Sequence, residues 1–154
     1  MRRNCLWWSV LCWLGVALAA QAASGRVVKV LPLFLDTKGH ESLAPSLYER
    51  DSYQAHLRQH PELRSGMRFA VRWQAKGPVT TPLKLRLELH GIVQGALPRQ
   101  KVIEQQVTTT SWLGRWITLP LAGEEYRAFG EVVAWRATLW EGDRLVSEQK
   151  SFLW

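Results

Sequence analysis

The sequence predicts a mainly β fold: a two-layer antiparallel β-sandwich of about seven strands with one accessory α-helix near 47–60. Three observations carry that prediction. Leu83-Lys84-Leu85-Arg86-Leu87-Glu88-Leu89-His90 alternates four leucines with four polar or charged residues. A period of two gives a strand one dry and one wet face, whereas on a helix the same leucines would scatter around the circumference. Other strand-like runs precede and follow it, with turn signals between them. Between Ser42 and His60 the period alone changes, to that of a helix.

Residues Arg26 to Leu35 open the folded part, rich in valine and leucine around Pro32. β-Branched content favours a strand, and the proline confines it to an edge or marks a bulge. Asp36-Thr37-Lys38-Gly39 reads as a turn. Ser46 and Glu49 then have the spacing of a capping box, and Pro61 stops the helix that follows. Its expected apolar stripe is thin, Leu47, Tyr53 and Leu57, with Tyr48 and Ala55 beside it. Such a helix covers a sheet face or edge.

Alternation returns at Met67, Phe69, Val71, Trp73 and Ala75. The leucine strand reaches about Ile92, and strands are expected over 100–109 and 113–121. In the second of these, Leu113, Ile117, Leu119 and Leu121 share a face. Residues 131–140 and 145–154 complete the set as a hairpin around Glu141-Gly142-Asp143-Arg144.

Leu121-Ala122-Gly123-Glu124-Glu125-Tyr126, ahead of the sixth strand, resembles the corner of fibronectin type III and immunoglobulin-like domains. The resemblance implies a sandwich of that type, with the Tyr126 hydroxyl returned to nearby backbone. It implies no activity.

The first 22 residues read differently. Arg2 and Arg3 precede an apolar run from Leu6 to Ala20, and small residues follow at Ala20-Gln21-Ala22. That order is a secretory signal peptide, expected to be cleaved after Ala22 or at Ala17-Leu18-Ala19. The run is short for a spanning helix. The expected mature chain is one domain, residues 23–154, exported to the periplasm or beyond the cell, with no membrane span. Both cysteines, Cys5 and Cys12, leave with the signal, so the domain relies on its core and not on disulfides. The formal charge of +7 falls to +5, spread along the chain, which points to no nucleic-acid partner.

Chemistry-bearing motifs are absent. There is no thiol after cleavage, no Gly-x-Ser-x-Gly elbow and no phosphate-cradling loop, and no catalytic residue, metal ligand or cofactor is expected. His56 and His60 have the spacing of half a metal site, but Leu57 stands where the zinc-protease glutamate belongs. Six tryptophans follow the signal. Trp73 and Trp135 align with the core, while Trp112, Trp116 and Trp140 fall on outward positions and form the candidate binding surface. The helix needs something apolar beneath it and is expected over Trp112 and Trp116, with Trp140 and Trp154 closing the ends. A bulge at Gly114 would turn Trp116 inward.

These readings favour a non-enzymatic module with a protein partner, reached through a free strand edge. The alternatives are a carbohydrate-binding module stacking sugars on Trp112, Trp116 and Trp140, and a small outer-membrane β-barrel. The barrel suits the aromatic C-terminus, but Lys150 and Glu148 would then face lipid at a cost.

Overall fold

In a computed structural model, which describes residues 24–77, 82–93, 97–107 and 112–154, the chain forms two antiparallel sheets. The strands are β1 (Ser24–Asp36), β2 (Arg64–Lys76), β3 (Leu83–Val93), β4 (Leu97–Val107), β5 (Arg115–Ala122), β6 (Glu131–Glu141) and β7 (Arg144–Lys150). Helix α1 (Leu47–Gln59) lies between β1 and β2, and the short helix α2 (Gly123–Phe129) between β5 and β6. One sheet has the order β1-β2-β5 and the other β4-β3-β6-β7.

In immunoglobulin lettering these are A-B-E and C′-C-F-G, so the sandwich is immunoglobulin-like with its fourth strand beside the third. Two separate sheets replace the closed ring a barrel requires, which removes the outer-membrane barrel reading. The outer face of the β4-β3-β6-β7 sheet is also charged where a barrel would need lipid-compatible side chains. There Glu104 meets Lys84 and Arg86, Glu88 meets Arg86 and Arg136, and Glu148 meets Arg136 and Lys150.

The alternation sets the core. Leu83, Leu85, Leu87 and Leu89 point inward against Phe69, Val71, Trp73, Leu119 and Leu121 of the facing sheet. Trp135 lies opposite Leu89 and packs against that core while remaining half-buried. At one edge the two sheets meet: Val27 donates its N–H to Ser147 Oγ at 3.0 Å, tying β1 to β7. No comparable tie joins β4 to β5 among the described residues, and β4 is exposed along most of its length.

Pro32 does sit in an edge strand, and the β1 irregularities lie at Val27/Lys29 and Leu35/Asp36 rather than at the proline. Helix α1 begins and ends where the sequence places it, but Ser46 makes no side-chain cap bond and the buried side chains are Gln54 and Leu57. Leu47 is 67% exposed and Tyr48 83%, so the expected stripe is wrong at its N-terminal end. The cause is Gln54. Its amide accepts from Phe34 N–H at 2.8 Å and donates to Phe34 and Glu41 carbonyls at 2.9 and 2.8 Å. The side chain thus acts as a substitute strand for the open edge of β1.

Candidate contact surface

Strand parity places the candidate tryptophans on two different faces. On β2, Phe69, Val71 and Trp73 are buried, so Arg68, Ala70 and Arg72 point outward. Arg72 lies opposite Lys29 on β1 and Trp116 on β5, which makes a cross-strand row of two cations and an indole. Trp116 is 50% exposed. Just before β5, Trp112 and Leu113 occupy a turn and are 68% and 65% exposed. Arg72 Nη2 donates to the Leu113 carbonyl at 3.3 Å, holding that turn against β2.

Gly114 closes the turn at φ +85, a conformation open to glycine at little cost. A Cβ there would also come within 3.2 Å of Arg72 Nε. The bulge that would turn Trp116 inward does not form. Leu113 departs from its expected inward position because the strand starts two residues later, at Arg115.

Helix α1 does not cover this surface. It packs on β1, whose outward Leu33 and Leu35 are buried, and Trp112 and Trp116 remain open.

Trp140 is on the other outer face. It lies opposite Lys84 and Leu145, and its indole N–H donates to Thr138 Oγ1 at 2.8 Å. The thickness of a sandwich, about 10 Å between sheets, separates it from Trp116. The three tryptophans therefore do not form one platform.

Trp154 likewise lies on that outer face rather than closing an end. Ser151 turns the chain back, donating its N–H to the Trp135 carbonyl at 2.9 Å and accepting the Trp135 N–H on Oγ at 3.0 Å. The indole of Trp154 then stacks on His90 at 4.2 Å, with the Arg136 guanidinium 4.7 Å from its ring centre.

Polar groups converge elsewhere. Asp36 Oδ1 accepts N–H bonds from Lys38 and His40, both at 2.8 Å, and Oδ2 accepts the Tyr53 hydroxyl at 2.8 Å. Burial alone would raise its pKa, but the His40 N–H, the Tyr53 hydroxyl and the Lys38 N–H outweigh it and hold the carboxyl below its ordinary range. Burial and the adjacent carboxylate push the Tyr53 phenol up, so it stays a donor rather than a base.

His40 Nδ1 lies 3.6 Å from Asp36 Oδ2. The His56 and His60 rings sit 4.4 Å apart, and His60 Nδ1 faces Glu62 at 2.9 Å. A hollow of about 400 Å³ beside α1 is lined by Leu43, Tyr48, Glu49, Ser52, Tyr53 and His56. One of about 270 Å³ lies between β4 and α2.

Tyr126 falls within α2, half-buried, where burial pushes its phenol up and the nearby Arg64 side chain pulls the other way. The corner resemblance implied a backbone partner for that hydroxyl. No such backbone bond is formed among the described residues, where Tyr126 lies inside the short helix.

No family model and no curated protein matches this chain. Among solved structures, an immunoglobulin-like protein from Pseudomonas aeruginosa is similar at 17% identity and TM-score 0.39, over 85% of this chain and 96% of that one. The immunoglobulin-like assignment rests on the strand order itself.

Proposed function

We propose that this chain is a non-enzymatic binding module, an exported accessory domain of the cell envelope, which engages its partner with the outer face of the β1-β2-β5 sheet. One observation carries the reading: Trp112, Leu113 and Trp116, at 68%, 65% and 50% exposure, flank Arg72, and no element among the described residues lies over them. Large apolar side chains left uncovered in this way mark contact sites more often than they occur by chance. Tryptophan and arginine are also the residue types that carry most binding energy at protein interfaces. Export is supported by the signal-like order of residues 1–22, which lie outside the described residues.

A second reading, a protein partner added as a strand along β4, is favoured by that strand's free edge of 11 residues. A glycan stacked on the indoles is left with Trp112 and Trp116 only, since Trp140 faces the other way.

Retention of the chain on envelope fractions separates these readings. Trp112→Ala/Leu113→Ala/Trp116→Ala is expected to lose at least about tenfold in retention, the scale of one or more interface anchors. Val102→Pro, on the β4 edge, is expected to leave retention unchanged. Loss with Val102→Pro alone would transfer the contact to β4, and indifference to both variants would end the proposal.

A further inference from the structure

We infer that the partner of this face is an anionic lipid surface, with Trp112 and Leu113 entering the headgroup layer and the cations of the same sheet meeting the phosphates. The inference rests on the reading above, that this face makes the contact, and adds what it touches.

Charge is partitioned sharply between the two halves of the domain. Strands β1, β2 and β5 hold seven Arg and Lys against one acid, Asp36, which sits at the far end of β1. The rest of residues 24–154 holds eleven against twelve acids. The whole surplus of positive charge therefore belongs to one sheet.

On the outer face Arg26, Lys29, Arg72 and Lys76 are exposed and have no carboxylate partner, and neither has Arg115, at an inward position where β5 starts. Arg68, farther along the face, pairs with Glu41. The segments beyond the described residues contain no Asp or Glu. At the same end of the sandwich Glu141 and Asp143 belong to the hairpin of the other sheet, and Glu141 is already engaged by Arg144. The opposite outer face, by contrast, pairs its lysines and arginines with Glu88, Glu104 and Glu148.

The composition of the tip selects among anionic partners. Protein interfaces deplete lysine and charge at their centres. A polysaccharide would use the indole rings but gain nothing from Leu113. Tryptophan at headgroup depth, a leucine reaching below it and long cationic side chains extending to phosphates is the combination that membrane interfaces favour. Among the described residues no helix is long and apolar enough to cross a bilayer.

The test is co-sedimentation of the full chain with phosphatidylcholine vesicles made with and without phosphatidylglycerol. Anionic vesicles are expected to bind at least about tenfold more tightly than neutral ones, and added salt to reverse most of the gain. Trp112→Ala/Leu113→Ala and, separately, Lys29→Ala/Arg72→Ala should each reduce binding about tenfold or more. Phe152→Ala, fully exposed outside this sheet, should change nothing. All variants share the same N-terminal segment, so differences between them report the face alone.

Brominated lipid should quench the wild-type indoles more than those of Trp112→Phe/Trp116→Phe, a reading that survives if a multiple-alanine variant fails to fold. Equal binding to neutral vesicles, or binding indifferent to both sets of substitutions, would overturn the inference. So would retention on immobilised alginate without vesicle binding, which identifies a polysaccharide. If envelope retention depends on the face while vesicles do not bind, only this inference falls. If envelope retention ignores the face, the proposed function falls with it.

Discussion

At Asp36 one carboxylate organises the turn that ends β1, and its chemistry fixes how the domain responds to acid. Two backbone N–H groups and the Tyr53 hydroxyl all donate to the ionised form, so the folded state binds a proton more weakly than the unfolded chain does. The stabilisation is therefore complete above the unfolded value, about 3.9, and is lost as pH falls through the lower folded value. Asp36→Asn removes the charge while keeping the side chain's shape. It is expected to lower stability at neutral pH by about 1–3 kcal/mol, the range for disrupting a partly buried hydrogen-bonded group. Thermal unfolding of both proteins from neutral to acid pH measures the effect. The two curves should converge as the wild type is protonated, and curves that stay parallel would show that Asp36 contributes nothing to the acid response. None of this is visible in Asp36-Thr37-Lys38-Gly39 beyond a turn, because the Tyr53 donor arrives from a helix 17 residues away.

At the level of elements, alternation reports a strand's two faces but not what covers them. The leucine strand β3 was legible in full because both neighbours and the facing sheet demand the same dry face. Helix α1 was legible in extent and not in orientation: Gln54, polar by any pattern, is buried because it completes the hydrogen bonds of the β1 edge, while Leu47 remains outside. Helix α2 is seven residues long, too short for a periodic signal. The charged face of β4-β3-β6-β7 illustrates a third case, since every charge was legible but the pairing depended on register. Glu88 on β3 sits between Arg86 and Arg136, with Arg136 Nε donating to it at 2.5 Å. Glu88→Gln should weaken both contacts and cost about 1 kcal/mol at low ionic strength, in the range of well-placed surface pairs. Urea unfolding at low and at high salt checks this. The difference between wild type and variant should shrink as salt screens the pairs, and a difference unaffected by salt would mean that the cost is one of packing.

For the whole molecule, the asymmetry of three strands against four has two consequences. The β1 and β7 edges are tied together, while β4 extends beyond the smaller sheet and keeps Arg99 and Gln105 exposed on its inward positions. The charge is equally one-sided, and parity along β5 made the exposure of Trp116 legible while leaving the assignment of Trp140 to the other sheet invisible, because sequence does not say which strands are neighbours. The six tryptophans of the described residues therefore occupy distinct environments: Trp73 is 1% exposed, Trp135, Trp140 and Trp154 are half-buried, and Trp112 and Trp116 are open. Collisional quenching resolves these environments and the local field at once. A face with a surplus of cations concentrates anions and repels cations near it, so at low ionic strength iodide should quench Trp112 and Trp116 more efficiently than caesium. Trp112→Phe/Trp116→Phe should remove most of that iodide preference and shift the remaining emission to the blue, while changing stability by no more than about 0.5 kcal/mol, as expected for exposed positions. The comparison with wild type cancels the contribution of Trp7, Trp8 and Trp13, which both proteins share. Equal quenching of the lost component by the two ions would show that the cations of β1, β2 and β5 do not set the field at the indoles, and the charge argument for an anionic partner would lose its basis.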